Sequence, residues 1–172
     1  MSSRIDTFSN AIALAGQDRE DDVWRPHVTV ATVVPLDGRF LLVEEDVRGR
    51  TVLNQPAGHL DPDESLHAAA VRETLEETGW DVELDALLGV QQWVSAHSGR
   101  HFVRFTFAAR PLRHHAGRPL DDGILRALWL TRDEVAAAAA RLRSPMVLTS
   151  IDEWLGGRRL PLDAIRWVPP GD

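Results

Sequence analysis

The stretch Gly58-His59-Leu60-Asp61-Pro62-Asp63-Glu64-Ser65-Leu66-His67-Ala68-Ala69-Ala70-Val71-Arg72-Glu73-Thr74-Leu75-Glu76-Glu77-Thr78-Gly79-Trp80 carries the densest local information in the chain. Asp61, Pro62 and Glu64 place a cap residue, a first-turn proline and an acid three positions after the cap ahead of a helical stretch, and Gly79 supplies its stop. The spacing predicts one helix over residues 62–78. At about 100° per residue, Glu73, Glu76 and Glu77 fall within an arc of about 100° and share one face. Ala68, Val71 and Leu75 form an apolar stripe on the opposite side, expected to pack on a sheet, while Ala69 and Ala70 flank the acidic face.

Clustered carboxylates repel one another, and a proton or a cation relieves that cost. Hard oxygen ligands at this density suit Mg²⁺ or Mn²⁺, with substrate phosphates and waters completing an octahedron. Arg72 stands four residues before Glu76, the spacing at which it pairs with that acid and fixes its rotamer. Taken alone, such a helix reads as a solvated charged face. The wider pattern decides otherwise.

Upstream, Val28-Thr29-Val30-Ala31-Thr32-Val33-Val34, the turn signal Asp37-Gly38 and Phe40-Leu41-Leu42-Val43 predict an antiparallel hairpin. Downstream, strands are expected at residues 91–94, 102–109 and 127–130, and Phe102 to Phe107 alternates most clearly. Thr131-Arg132-Asp133-Glu134 is a capping box ahead of an Ala-rich helix over 135–142, and Ser144-Pro145 opens a third helix that stops at Gly156-Gly157. Helices and strands intermix in one α/β domain over residues 25–172, preceded by a partly ordered extension over 1–24 that contains an acidic run and shows no sustained periodicity.

Composition narrows the chemistry. The 172 residues are 44% hydrophobic and 26% charged, enough for an ordinary soluble core. There is no Cys, and every one of the 19 basic residues is Arg, which excludes thiolate nucleophiles, Cys-ligated metals, Schiff-base lysines and a Walker lysine. No run approaches the ~20 apolar residues of a membrane span, and no signal-peptide core is evident, so a cytoplasmic protein is expected. A net charge of −7 speaks against nucleic-acid and anionic-membrane partners. It does not speak against a small anion delivered with its metal ion.

The stretch from Gly58 to Trp80 fits a long pattern: a Gly, five residues, a Glu, seven residues, Arg-Glu, a bulky apolar residue, any residue, Glu-Glu, any residue, Gly and a bulky apolar residue. This is the Nudix box, and on it the chain is identified as a member of the Nudix superfamily. Only Thr74 departs, standing where a bulky aliphatic is usual; it is expected to loosen local packing without touching a carboxylate. Beyond the box, Pro26-His27-Val28-Thr29-Val30-Ala31, Val43-Glu44-Glu45, Asn54-Gln55-Pro56-Ala57-Gly58-His59-Leu60, Gln92-Trp93, Arg104-Phe105, Leu142-Arg143-Ser144-Pro145, Ser150-Ile151 and Gly157-Arg158-Arg159-Leu160-Pro161-Leu162 resemble the NudJ-type phosphatases of that superfamily.

The resemblance implies a Nudix α/β/α sandwich, with the box as a loop–helix–loop beside a mixed sheet. It implies hydrolysis, dependent on Mg²⁺ (or Mn²⁺), of nucleoside di- and triphosphates and of thiamin-pathway pyrophosphates such as hydroxymethylpyrimidine pyrophosphate and thiamin pyrophosphate, releasing orthophosphate. Glu76 and Glu77 become metal ligands, Glu73 a ligand or the base, and the Ala57 carbonyl a backbone ligand. Arg72 supports the catalytic acids, Glu64 caps its helix, Gly58 permits a backbone conformation that a side chain would obstruct, and Gly79 ends the helix.

Candidate substrate contacts are Arg104, through its planar fork to phosphate, Trp93 by stacking, Gln55, and Glu44 with Glu45 at a strand end. Asp121 or Asp122 is a further acid within reach of the site, although Asp121-Asp122-Gly123 is favoured as a plain turn. Two rivals stand beside the main reading: an ADP-ribose or nucleotide-sugar pyrophosphatase, and a non-catalytic nucleotide-binding Nudix sensor. The sequence leaves open the preferred small-molecule substrate, the base, and whether the chain is a monomer or a homodimer.

Overall fold

The computed structural model describes residues 23–169, so nearly all of the expected N-terminal extension lies outside the described residues. Strand β1 (His27–Val33) is an almost unbroken β-branched run, as a strand covered on both faces requires. It pairs antiparallel with β5 (Ala57–His59) and parallel with β7 (His101–His114), which pairs antiparallel with β6 (Trp80–Val94). The result is a mixed sheet in the order β5-β1-β7-β6. A second, antiparallel sheet joins β2 (Pro35–Leu36), β3 (Arg39–Val47) and β4 (Arg50–Asn54), with β8 (Ile124–Thr131) also pairing with β3.

Helix α1 (Leu66–Thr78) covers one face of the mixed sheet, where Ala69 and Ala70 pack with Val30, Leu87 and Phe107. The other face carries Val33, Ala86 and Ala108. These meet Val147 and Ile151 of α3 (Met146–Leu155), Val135 of α2 (Arg132–Ala137) and Phe40, Leu42 and Leu53 of the second sheet. This is the expected α/β/α sandwich with a mixed sheet, thickened by the second sheet. Among the described residues no helix is long and apolar enough to cross a membrane.

Four local expectations change. The predicted hairpin is split: Asp37 and Gly38, at φ 49° and 75°, do turn the chain, but they join β2 to β3 within the second sheet, while β1 belongs to the first. Helix α1 starts at Leu66 rather than residue 62, because the Ser65 side chain accepts the Ala68 N–H at 3.1 Å and so caps it. The Ala-rich segment is helical over Arg132–Ala137 and tightens into a 3₁₀ turn at Ala139–Arg141 instead of running to residue 142.

The buried face of α1 is also not the Ala68, Val71 and Leu75 stripe. Ala68 is exposed, whereas Ala69, Ala70, Glu73, Thr74, Glu77 and Thr78 are buried. Thr74 explains how a polar residue fits there. Its hydroxyl donates to the Ala70 carbonyl at 2.7 Å and lies 2.8 Å from the Thr32 hydroxyl of β1, so it bonds helix to sheet rather than loosening the packing.

Candidate active site

Arg72 organises the acids of α1. Its Nε and Nη2 donate to the two Glu64 carboxylate oxygens at 2.8 and 2.9 Å, and its Nη1 donates to Glu73 and to Glu76, each at 2.9 Å. Nη2 also donates to the His59 carbonyl at 3.1 Å. The bidentate pairing holds the Glu64 carboxyl below its usual range and raises the guanidinium further above its own. Glu64 still accepts the Asp61 N–H at 3.4 Å, but in the turn before the helix. Its role is to anchor Arg72, not to cap α1, which corrects the sequence expectation.

Gly58 departs from expectation in its reason rather than its importance. Its φ is not left-handed; instead, a Cβ added there would stand 2.1 Å from the Glu73 carboxyl carbon. The glycine makes room for the Glu73 carboxyl against β5. Gly79 does fill the left-handed position, φ 71°, and its N–H donates to the Leu75 carbonyl, closing α1 as predicted.

The three glutamates separate into two environments. Oxygens of Glu73, Glu76 and Asp121 all lie within 4.8 Å of one another, a cluster able to hold a metal ion. Asp121 is brought there by its own N–H, which donates to the Glu76 carbonyl at 3.1 Å. Its carbonyl also accepts the Ile124 N–H, so the favoured turn exists, but the turn delivers an acid to the site. Asp122 is not part of the cluster.

Glu77, expected in the tight group, instead accepts the Ala57 N–H at 2.8 Å. Burial pushes its carboxyl up to about 8, against that hydrogen bond, and the charges of Glu73, Glu45 and Asp121 act in the same direction as burial. Burial likewise raises Glu73, opposed by Arg72. Hard oxygens at this density fit a divalent cation, whose charge would replace the proton on Glu77.

Arg104 stands on the mixed-sheet face opposite α1, opposite Thr29 in register, and is 3% exposed. Burial lowers it to about 10, while Glu77 and Glu45 sustain its charge. It remains a cation at neutral pH, yet its Nε and Nη2 have no hydrogen-bond partner among the described residues. Trp93 lies in the same sheet, its ring centroid 5.5 Å from that of Phe102. Gln55 is 1% exposed and its amide donates to the Val147 carbonyl at 3.1 Å, a packing role beside α3.

Glu44 is not brought to the acids. Arg126 Nε donates to it at 2.8 Å, Arg141 pairs with its other oxygen, and the two cations hold its carboxyl below the usual range. Its neighbour Glu45 is the residue that faces Glu77 and Arg104. Residues 40–44 of β3 are buried without alternation, so no polarity pattern showed which of the two acids lies within electrostatic reach of Glu77.

The NUDIX domain family model matches residues 24–149, and the chain belongs to this family of hydrolases acting on phosphoanhydride bonds. Within it, the chain is 41% identical over 143 residues to Phosphatase NudJ of Escherichia coli (strain K12), covering 83% of this chain and 92% of that one. A solved NUDIX hydrolase from Nitrosomonas europaea is 43% identical, with a TM-score of 0.82 over 84% of this chain and 98% of its own. The NUDIX domain of Shewanella oneidensis NrtR, solved with ADP ribose, shares the fold at 20% identity and a TM-score of 0.63, covering 84% of this chain and 97% of that one.

Proposed function

We propose that the chain is a Mg²⁺-dependent phosphatase of small phosphorylated molecules, releasing orthophosphate from nucleoside di- and triphosphates and from thiamin-pathway pyrophosphates. The observation that carries this reading is the convergence of Glu73, Glu76 and Asp121 within 4.8 Å, beside the buried acid Glu77 and the buried cation Arg104.

Glu73, Glu76, Glu77, Asp121 and the Ala57 carbonyl would hold Mg²⁺ or Mn²⁺. When bound, such a cation lowers the pKa of a water and neutralises charge on phosphate oxygens. Arg72 positions Glu73 and Glu76 and, tied to Glu64, keeps them from swinging into solvent. Glu77 would give up its proton on joining that ligand set. Arg104 offers its open N–H groups to an acceptor atom of the substrate, and Trp93 contributes to an aromatic flank on the same sheet. The relative named a phosphatase, 41% identical over most of its length, supports orthophosphate as the product.

Phosphorus NMR of the products separates this reading from its rival. With a nucleoside triphosphate and Mg²⁺, the expected products are orthophosphate and the nucleoside diphosphate. Nucleoside monophosphate from ADP-ribose, with no orthophosphate from either substrate, would show a pyrophosphatase that cuts inside the substrate's pyrophosphate.

A further inference from the structure

Seven buried side-chain atoms among the described residues lack a hydrogen-bond partner, and six of them belong to Glu45, Asn54, Gln55, Arg104 and Ser144. Native interiors leave few such atoms, because each one gives up water without replacement. Their concentration in one place therefore calls for a partner. Arg104, Asn54 and Ser144 are each less than 10% exposed.

The fold assembles these groups from three directions. Arg104 comes from β7, and its charge interacts with Glu45 of β3. Asn54, the last residue of β4, pairs in register with Val43, two residues from Glu45 and so on the same face of β3. The Arg143 N–H donates to the Leu53 carbonyl at 2.8 Å and so sets Ser144 against the end of β4. Donors and acceptors are both left without hydrogen bonds: two N–H positions on Arg104, and as acceptors Asn54 Oδ1, Ser144 Oγ and Glu45 Oε1, which Arg143 Nε approaches only to 3.9 Å. Phosphate, which only accepts, answers the first and not the second.

Two residues before Arg104, and so on the same sheet face, Phe102 stacks on His27 at 5.1 Å and 26° and leans on Trp93 at 5.5 Å and 30°. This row supplies an aromatic flank to the polar groups. A ligand that is planar and carries a hydrogen-bond donor beside an acceptor matches both features.

We propose that the acceptors of Glu45, Asn54 and Ser144, beside Arg104, form a specificity site that reads the edge of a heterocycle on the substrate, selecting rings that present an amino donor over isosteres that present an oxo group. The proposal rests on the phosphohydrolase reading for its substrates but not for its binding geometry. A site built around buried acceptors rejects a ligand that leaves them unpaired or meets them with another acceptor.

The test compares amino and oxo isosteres: cytidine against uridine diphosphate, and adenosine against inosine diphosphate. We expect kcat/KM in the wild type to favour the amino member of at least one pair by about tenfold or more, and Glu45→Gln to reduce that ratio by about tenfold. Calorimetric binding of cytidine and uridine monophosphates provides a readout independent of hydrolysis. Preference for cytidine monophosphate, lost in Glu45→Gln, upholds the proposal even if no diphosphate is turned over. Ratios near one in both pairs and equal binding of the monophosphates, or a wild-type preference unchanged by Glu45→Gln, would overturn it.

Discussion

Glu77 sits buried with its carboxylate on the Ala57 N–H, and burial raises it from 4.5 to about 8. Between those values the folded, metal-free protein holds a proton that the unfolded chain releases. Stability contributed by the protonated acid is therefore fully present below about 4.5 and lost as pH rises through about 8. Glu73 and Glu45 are raised too and add to the same trend. Metal-free Glu77→Gln should lose part of this dependence, so that its melting temperature falls less than that of the wild type between about pH 5 and pH 8.5. Identical pH profiles for the two proteins would refute the assignment. Cation binding near neutral pH should release close to one proton, measurable by calorimetry in buffers of different ionisation enthalpy. Gly58→Ala tests the neighbouring contact: a Cβ 2.1 Å from the Glu73 carboxyl must push the end of that side chain aside, so Mg²⁺-dependent turnover should fall while the melting temperature changes little. Unchanged turnover would contradict the close approach.

Among the elements, α1 decides how the site is presented. Ser65 caps it, so Ser65→Ala should destabilise the protein by about 0.5–2 kcal/mol in denaturant titrations, and Asp61→Ala by much less. Equal losses would return the helix start to Asp61. The sequence made the helix legible through its box spacing and Gly79 stop, but Asp61 with Glu64 placed its cap four residues too early. Side-chain contacts account for the shift, because Arg72 takes both oxygens of the acid that would have completed that capping box. The buried face was misread for a related reason. Helical periodicity ranks faces by hydrophobicity, and here the inward face carries Thr74 bonded toward Thr32 and the buried acids Glu73 and Glu77, which no apolar stripe records.

Across the whole molecule, two sheets and the loop before β8 bring together groups distant in sequence. Box residues could be read directly because one helix holds them. Asp121 and Glu45 could not be assigned, since the first depends on a loop docking its N–H on the Glu76 carbonyl and the second on which face of β3 meets Arg104. The same distribution explains why an acidic protein suits an anionic substrate: the negative charge is concentrated where a cation can bridge it to phosphate. Orthophosphate release from a nucleoside triphosphate, followed across a Mg²⁺ titration for wild type and Glu77→Gln, tests the central claim most directly. The expected result is turnover that rises with Mg²⁺, is abolished by chelation, and falls by about 100-fold or more in the variant. Turnover that ignores Mg²⁺, or that is equal in the two proteins, would contradict it.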